Sequence, residues 1–141
     1  MKLKEQYEIL NFKDFGDNRG DLVVVEGSGQ DIPFVMKRIF YIYGSDDEVV
    51  RGCHANLNSE FVMINVCGTS KVKVDNGSET EVIELNRPRM GLYLKQMLWK
   101  EMYDFSSDSI LLVIASEHYD EHEYIRVYQA YLNMVGAEKK D

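Results

Sequence analysis

The segment RGCHANLNSEF, residues 51–61, sets His54, Asn56 and Glu60 at positions i, i+2 and i+6. Alternate side chains of an extended chain share a face, so one uninterrupted strand would aim all three into the same space. Leu57 and Phe61 would then face the other way. Three chemistries suit the pattern: a His-x-His-x3-Glu metal centre short of one imidazole, a metal-free acid/base site, or a strand carrying a single histidine. An amide oxygen is a much weaker ligand than imidazole for a zinc-like ion. A histidine that titrates near neutrality suits proton transfer, so a metal-free site is expected.

A second segment, RPRMGLYLKQMLWKEM at residues 87–102, carries Pro88-x-x-Gly91 and then Trp99-Lys100. An ammonium is a poor metal ligand unless it loses its proton. Arg51 and Arg38 (in KRIF) offer guanidinium groups suited to bidentate recognition of phosphate. Tyr41 and Tyr43 leave the KRIFYIY run on one face, where either could point inward. Trp99 and Tyr93 suit a core or a stacking platform for a base. Cys53 reads as a small buried thiol, and His118 and His122, among acids in EHYDEHEY, as surface residues.

The elements that must position these groups are short and β-rich. DLVVVEG, VMKRIFYIYG, EFVMINVCG, SKVKVDNG, ETEVIEL, MGLYLKQMLWKEM and SILLVIAS each read as strand, bounded by glycine or other turn residues. Lys71 and Lys73 alternate with Val72 and Val74, the period of a half-buried strand. Asn76-Gly77 marks a hairpin between two such runs. Many short strands at this spacing predict an all-β sandwich or barrel. Only DEHEYIRVYQAYLNMVG reads as helix, with acids in its first turn and Gly136 able to end it. The arginine in YIRVY, Arg126, is expected to anchor that helix, and 136–141 to form a loose tail.

The whole chain bounds the reading. Its 141 residues, 45% hydrophobic and 28% charged, fit one soluble domain over 1–141. A net charge of −8 opposes nucleic-acid binding. No apolar run approaches the roughly 18–20 residues of a membrane span. The first residues, MKLKEQYEIL, have no signal-peptide core, and two cysteines make no disulfide framework, so a cytoplasmic protein is expected.

The segments NFKDFGDNRGDLVVVEG, DIPFVMKRIFYIYG, RGCHAN, RPRMGLYL, LWKEMYDFSSDSILLVIAS and YDEHEYIRVYQAYL resemble, in order, the dTDP-4-keto-6-deoxyhexose 3,4-ketoisomerases. These are metal-independent, WxcM/FdtA-like members of the cupin superfamily. The resemblance runs from Asn11 to Leu132. It implies a cupin barrel with one C-terminal helix and no cofactor. It also implies conversion of a dTDP-linked 4-keto-6-deoxy sugar to its 3-keto isomer through a 3,4-enediol(ate), within deoxysugar biosynthesis for surface glycans. A homodimer with N-terminal strands, residues 5–27, exchanged between subunits is part of the same expectation, with EGSGQD as a hinge.

The family's RG-x-HAH and Trp-His become RGCHAN and Trp99-Lys100 here, and its glutamine becomes Phe61. His54 matches the first histidine, and Asn56 stands at the second. A single imidazole can take and return a proton if C3 and C4 are served from one face. Asn56 could then donate to the enediolate, with Lys100, Tyr41 or Tyr43 replacing the lost acid. Arg51 and Arg38 are expected on the sugar or its diphosphate, Glu60 on His54 or a sugar hydroxyl, and Trp99 and Lys100 at the substrate. A nucleotide-sugar-binding cupin with weakened chemistry, or an epimerase of the same intermediate, are the competing readings.

Overall fold

A computed structural model of the chain describes residues 1–139, the last three as backbone path alone. After a 3-10 helix at Leu3–Glu5, the strands are β1 (Tyr7–Asn11), β2 (Arg38–Tyr43), β3 (Arg51–Asn56), β4 (Phe61–Cys67) and β5 (Ser70–Asp75). They continue with β6 (Thr80–Leu85), β7 (Met90–Leu94), β8 (Trp99–Tyr103), β9 (Ile110–Ala115) and β10 (Tyr124–Ile125), before helix α1 (Tyr128–Lys139). One sheet runs β1-β7-β4-β9-β2 and the other β10-β3-β8-β5-β6. Every pairing is antiparallel. This is the small β-barrel with one C-terminal helix that the sequence predicts.

Side-chain alternation explains the layers. On β5, Val72 and Val74 are fully buried while Lys71 and Lys73 reach toward solvent. Between the sheets Val72, Val74, Ile83 and Leu85 meet Phe61, Met63, Leu92, Leu94, Leu111 and Val113. The outer face of the first sheet, with Val62, Ile64, Tyr93 and Ile114, is covered by Phe12, Ile32 and Phe34. The outer face of the second, at Ala55 and Trp99, is covered by Tyr131 and Val135 of α1. The expected hairpin forms around Asn76, whose side chain accepts from the backbone N–H groups of Ser78 and Glu79.

Several boundaries depart from the sequence reading. DLVVVEG forms no strand; one bridge, Asp14 to Val23, is its only ladder contact among the described residues. Val23 and Val25 pack on the outer face of the first sheet instead, leaving Leu22 and Val24 exposed. MGLYLKQMLWKEM is two strands, because the chain turns through Met97 (φ 62°) and crosses from one sheet to the other. The helix begins at Tyr128, not in the acidic run. Glu121–Glu123 is a 3-10 turn, and Tyr124 and Ile125 pair with Asn56 and Ala55. Glycine is tolerated within a helix at modest cost, and α1 continues through Gly136 to Lys139. The expected tail therefore divides: 136–139 are helical, and 140 and 141 lie outside the described residues.

Candidate active site

One end of the space between the sheets is open. A cavity of about 400 Å³ is lined by Arg38, Arg51, His54, Lys100, Tyr119 and Tyr124, among others. A bulge decides which residues of β3 face it. Arg51 and His54 are three apart and would point to opposite faces of a regular strand. The register shifts between Gly52 and His54, so that Arg51 pairs with Met102 and His54 with Lys100. The extra residue returns both side chains to the inner face. Gly52 (φ 83°) permits this, since a Cβ there would stand 3.0 Å from the Lys100 carbonyl oxygen. Cys53 follows at φ 57° and is exposed, not the buried thiol expected.

His54 packs on Tyr124, ring centroids 4.8 Å apart. Its Nδ1 is buried with no hydrogen-bond partner. Burial lowers its pKa from 6.5 to about 4, helped by the positive charges of Lys100, Arg126 and Arg38 and opposed by the Gly52 backbone. The imidazole is thus neutral at physiological pH and free to accept a proton. Arg38 lies between the Phe40 and Tyr119 rings, 5.2 and 5.6 Å from their centroids, and meets the Tyr124 hydroxyl at 3.4 Å. Its Nε is also buried without a partner. Arg51 stands at the exposed mouth.

Asn56 shares the inward face with His54 but does not line the cavity, which corrects its expected place at the enediolate. Fully buried, it donates from Nδ2 to Glu123 Oε1 at 2.9 Å, and its Oδ1 faces Lys100 Nζ at 3.4 Å. Glu123 also accepts the backbone N–H groups of Asn58 and Ser59, both at 3.0 Å, and the Ser59 hydroxyl. Glu60 does not join His54. The strand stops at Asn56, and the loop from 57 to 60 carries the chain to the other sheet, so parity is lost. Glu60 accepts from the Tyr93 hydroxyl outside the cavity, and Phe61, expected to face away, lines it.

The tyrosines of β2 point outward. Tyr41 touches the cavity rim while 62% exposed, and Tyr43 stacks on it beyond the cavity at 71% exposed, so neither is an enclosed acid. Trp99 is buried against Tyr128 and Tyr131 of α1, on the far side of its sheet from the cavity. His118 and His122 are exposed. Arg126 lies over the Tyr124 ring, 4.6 Å from its centroid. Among the described residues no three His, Cys, Asp or Glu side chains gather to hold a metal. Tyr119, Tyr124 and Glu123 lie far along the chain from residues 51–61, so no local pattern ties them to the site, and Ser59 enters it only through Glu123.

Residues 5–136 match the family model described as FdtA: WxcM-like, C-terminal. The TDP-4-oxo-6-deoxy-alpha-D-glucose-3,4-oxoisomerase of Aneurinibacillus thermoaerophilus is 40% identical over 136 residues, covering 94% of this chain and 97% of its own. A 3,4-ketoisomerase from Helicobacter canadensis superposes with a TM-score of 0.89 at 43% identity, over 92% of this chain and 97% of that one. A mutant 3,4-ketoisomerase from Thermoanaerobacterium thermosaccharolyticum, in complex with TDP-4-keto-6-deoxyglucose, superposes with a TM-score of 0.92 at 38% identity, over 97% of each chain.

Proposed function

Because the chain belongs to the FdtA (WxcM-like, C-terminal) family, we propose that it is a sugar 3,4-ketoisomerase acting on dTDP-4-keto-6-deoxy-D-glucose. The observation that carries this reading is His54, a half-buried, neutral imidazole facing a cavity that also holds two guanidinium groups. The C4 carbonyl acidifies the proton on C3. His54 removes it, and charge spreads onto O4 as the C3–C4 double bond forms. The same imidazolium then delivers its proton to C4, provided both carbons present one face to the ring. Arg38 and Arg51 suit the diphosphate, which anchors the sugar while its hybridisation changes.

The enzyme acts in the cytoplasm as a homodimer with exchanged N-terminal strands in this reading. Exposed apolar side chains support the dimer: Leu22 and Val24 within residues 5–27, and Ile39, Tyr41 and Tyr43 on the edge strand β2. Sedimentation at micromolar concentration should give twice the monomer mass.

A nuclear magnetic resonance time course with freshly made dTDP-4-keto-6-deoxyglucose in deuterium oxide tests the reaction. A 3-keto sugar is expected, with deuterium at C4 only to the extent that the His54 imidazolium exchanges its proton with solvent before delivering it. Tight binding of the sugar nucleotide with no 3-keto sugar formed would replace the isomerase with a binding protein.

A further inference from the structure

Lys100 and His54 are direct partners across the β3–β8 pair, and both line the cavity. Residues so opposed hold their Cβ atoms about 4.5–5.5 Å apart. Lysine is almost never fully enclosed, yet Lys100 is 2% exposed. Its neighbours on the inner face of the sheet, Val72, Val74 and Met102, show that packing alone is served by apolar side chains. The ammonium sits over the Phe61 ring, 5.0 Å from its centroid. Its hydrogen-bond partner is Asn56 Oδ1, which uses one of three N–H donors. Asn56 cannot turn its amide, because Nδ2 is committed to Glu123 and Glu123 is committed to the loop after β3.

Isomerisation of a 4-keto sugar moves two protons. One passes from C3 to C4, which a single imidazole can manage. The other must pass from O3 to O4, and His54 is occupied with the first. We propose that Lys100 is the catalytic residue that carries the oxygen proton, with Asn56 as the positioning residue that holds its ammonium. As the C3–H bond breaks toward His54, the C4 carbonyl electrons form an O4–H bond with a proton from the Lys100 ammonium. A neutral enediol and a neutral amine result. The amine then takes the proton of O3 as the C3 carbonyl forms, while the imidazolium protonates C4. Both groups end as they began. Burial lowers the Lys100 pKa to about 7, against the opposing pull of the Glu123 carboxylate, so ammonium and amine are both accessible at neutral pH.

The proposal rests on the ketoisomerase reading, and its test separates the two. Lys100→Met keeps the volume apolar, and Lys100→Ala opens room for a small amine. Each is compared with wild type in the deuterium oxide time course, with TDP affinity measured by calorimetry. Turnover should fall about 10²–10⁴-fold in both variants, the usual contribution of a positioned acid/base group. TDP affinity should stay within about threefold, since a proton carrier acts mainly on the transition state. Methylamine should accelerate Lys100→Ala in proportion to its concentration and leave wild type and Lys100→Met unchanged. A purely structural lysine would show no such rescue. Lys100→Met turning over at the wild-type rate, or Lys100→Ala slowed but indifferent to methylamine, would overturn the role of Lys100 alone. Wild type that forms no 3-keto sugar would overturn both readings.

Discussion

The two ends of the space between the sheets draw on different strands and differ in almost every other respect. At the closed end Leu3, Val72, Ile83 and Leu85 pack together, all buried. At the open end β8 turns Lys100 inward two residues from the apolar Met102, and β3 presents His54. The buried side chains of the closed end are all apolar. The open end keeps two buried nitrogens, His54 Nδ1 and Arg38 Nε, without partners. Such groups weaken a fold, so stability must come from elsewhere in the sandwich. The comparison assigns cohesion to one end and chemistry to the other.

Four perturbations would break or sharpen that division. The largest effect is expected from His54→Gln, which should lower turnover at least about 10²–10⁴-fold while leaving TDP binding in place. A variant that still isomerises at the wild-type rate would remove the histidine from the reaction. Leu85→Ala probes the other end. It should cost about 2–5 kcal/mol of unfolding free energy in a denaturant titration, with kcat unchanged below the transition. A fall in kcat without a fall in stability would show that the ends are not separable.

Gly52→Ala addresses the seam between them. A Cβ at φ 83°, 3.0 Å from a carbonyl oxygen, should cost about 1–3 kcal/mol. It should also raise KM, because Arg51 and His54 lose their shared aim. The fourth is the dependence of stability on pH. His54 and Lys100 both have folded pKa values below their unfolded ones, so the unfolded chain binds more protons in each window. Stability should therefore rise with pH from about 4 to 6.5 through His54 and from about 7 to 10.5 through Lys100. The charged and titratable groups around the pair are Arg38, Glu123, Tyr124 and Arg126. Relative to wild type, His54→Gln should flatten the lower window and Lys100→Met the upper. Parallel curves for either variant would contradict the burial assigned to that side chain.

How far the sequence disclosed this arrangement depended on how local the cause was. The alternation of Lys71, Val72, Lys73 and Val74 and the Asn76 turn are settled within a few residues, and both appear as read. The run Leu22–Val25 has strong β character but no neighbouring ladder over most of its length, and pairing outweighed propensity. Parity placed Asn56 and His54 on one face but could not show that Asn56 would be sealed beneath Lys100. Parity failed for Glu60 and Phe61 because the chain changes sheets between residues 56 and 61. Residue type and spacing, together with the family resemblance, brought Arg38, Arg51, His54 and Lys100 forward, and all four line the cavity. Tyr119 and Tyr124 belong to the site only through the long return of the chain to β3, which no short segment announces.

That return fixes when the site can exist during synthesis. Arg38 emerges early, but its hydroxyl partner is Tyr124, 86 residues later. Glu123, which ties down Asn56 and the loop after β3, arrives with it. A nascent chain can pair β4 with β7 and β5 with β6 well before residue 119 leaves the ribosome. Its barrel would then have an unwalled mouth, an unrestrained Asn56 and no Tyr124 against His54. Reactivity toward the sugar nucleotide therefore appears only once the last segment has docked, and a chain cut before it has a scaffold without chemistry.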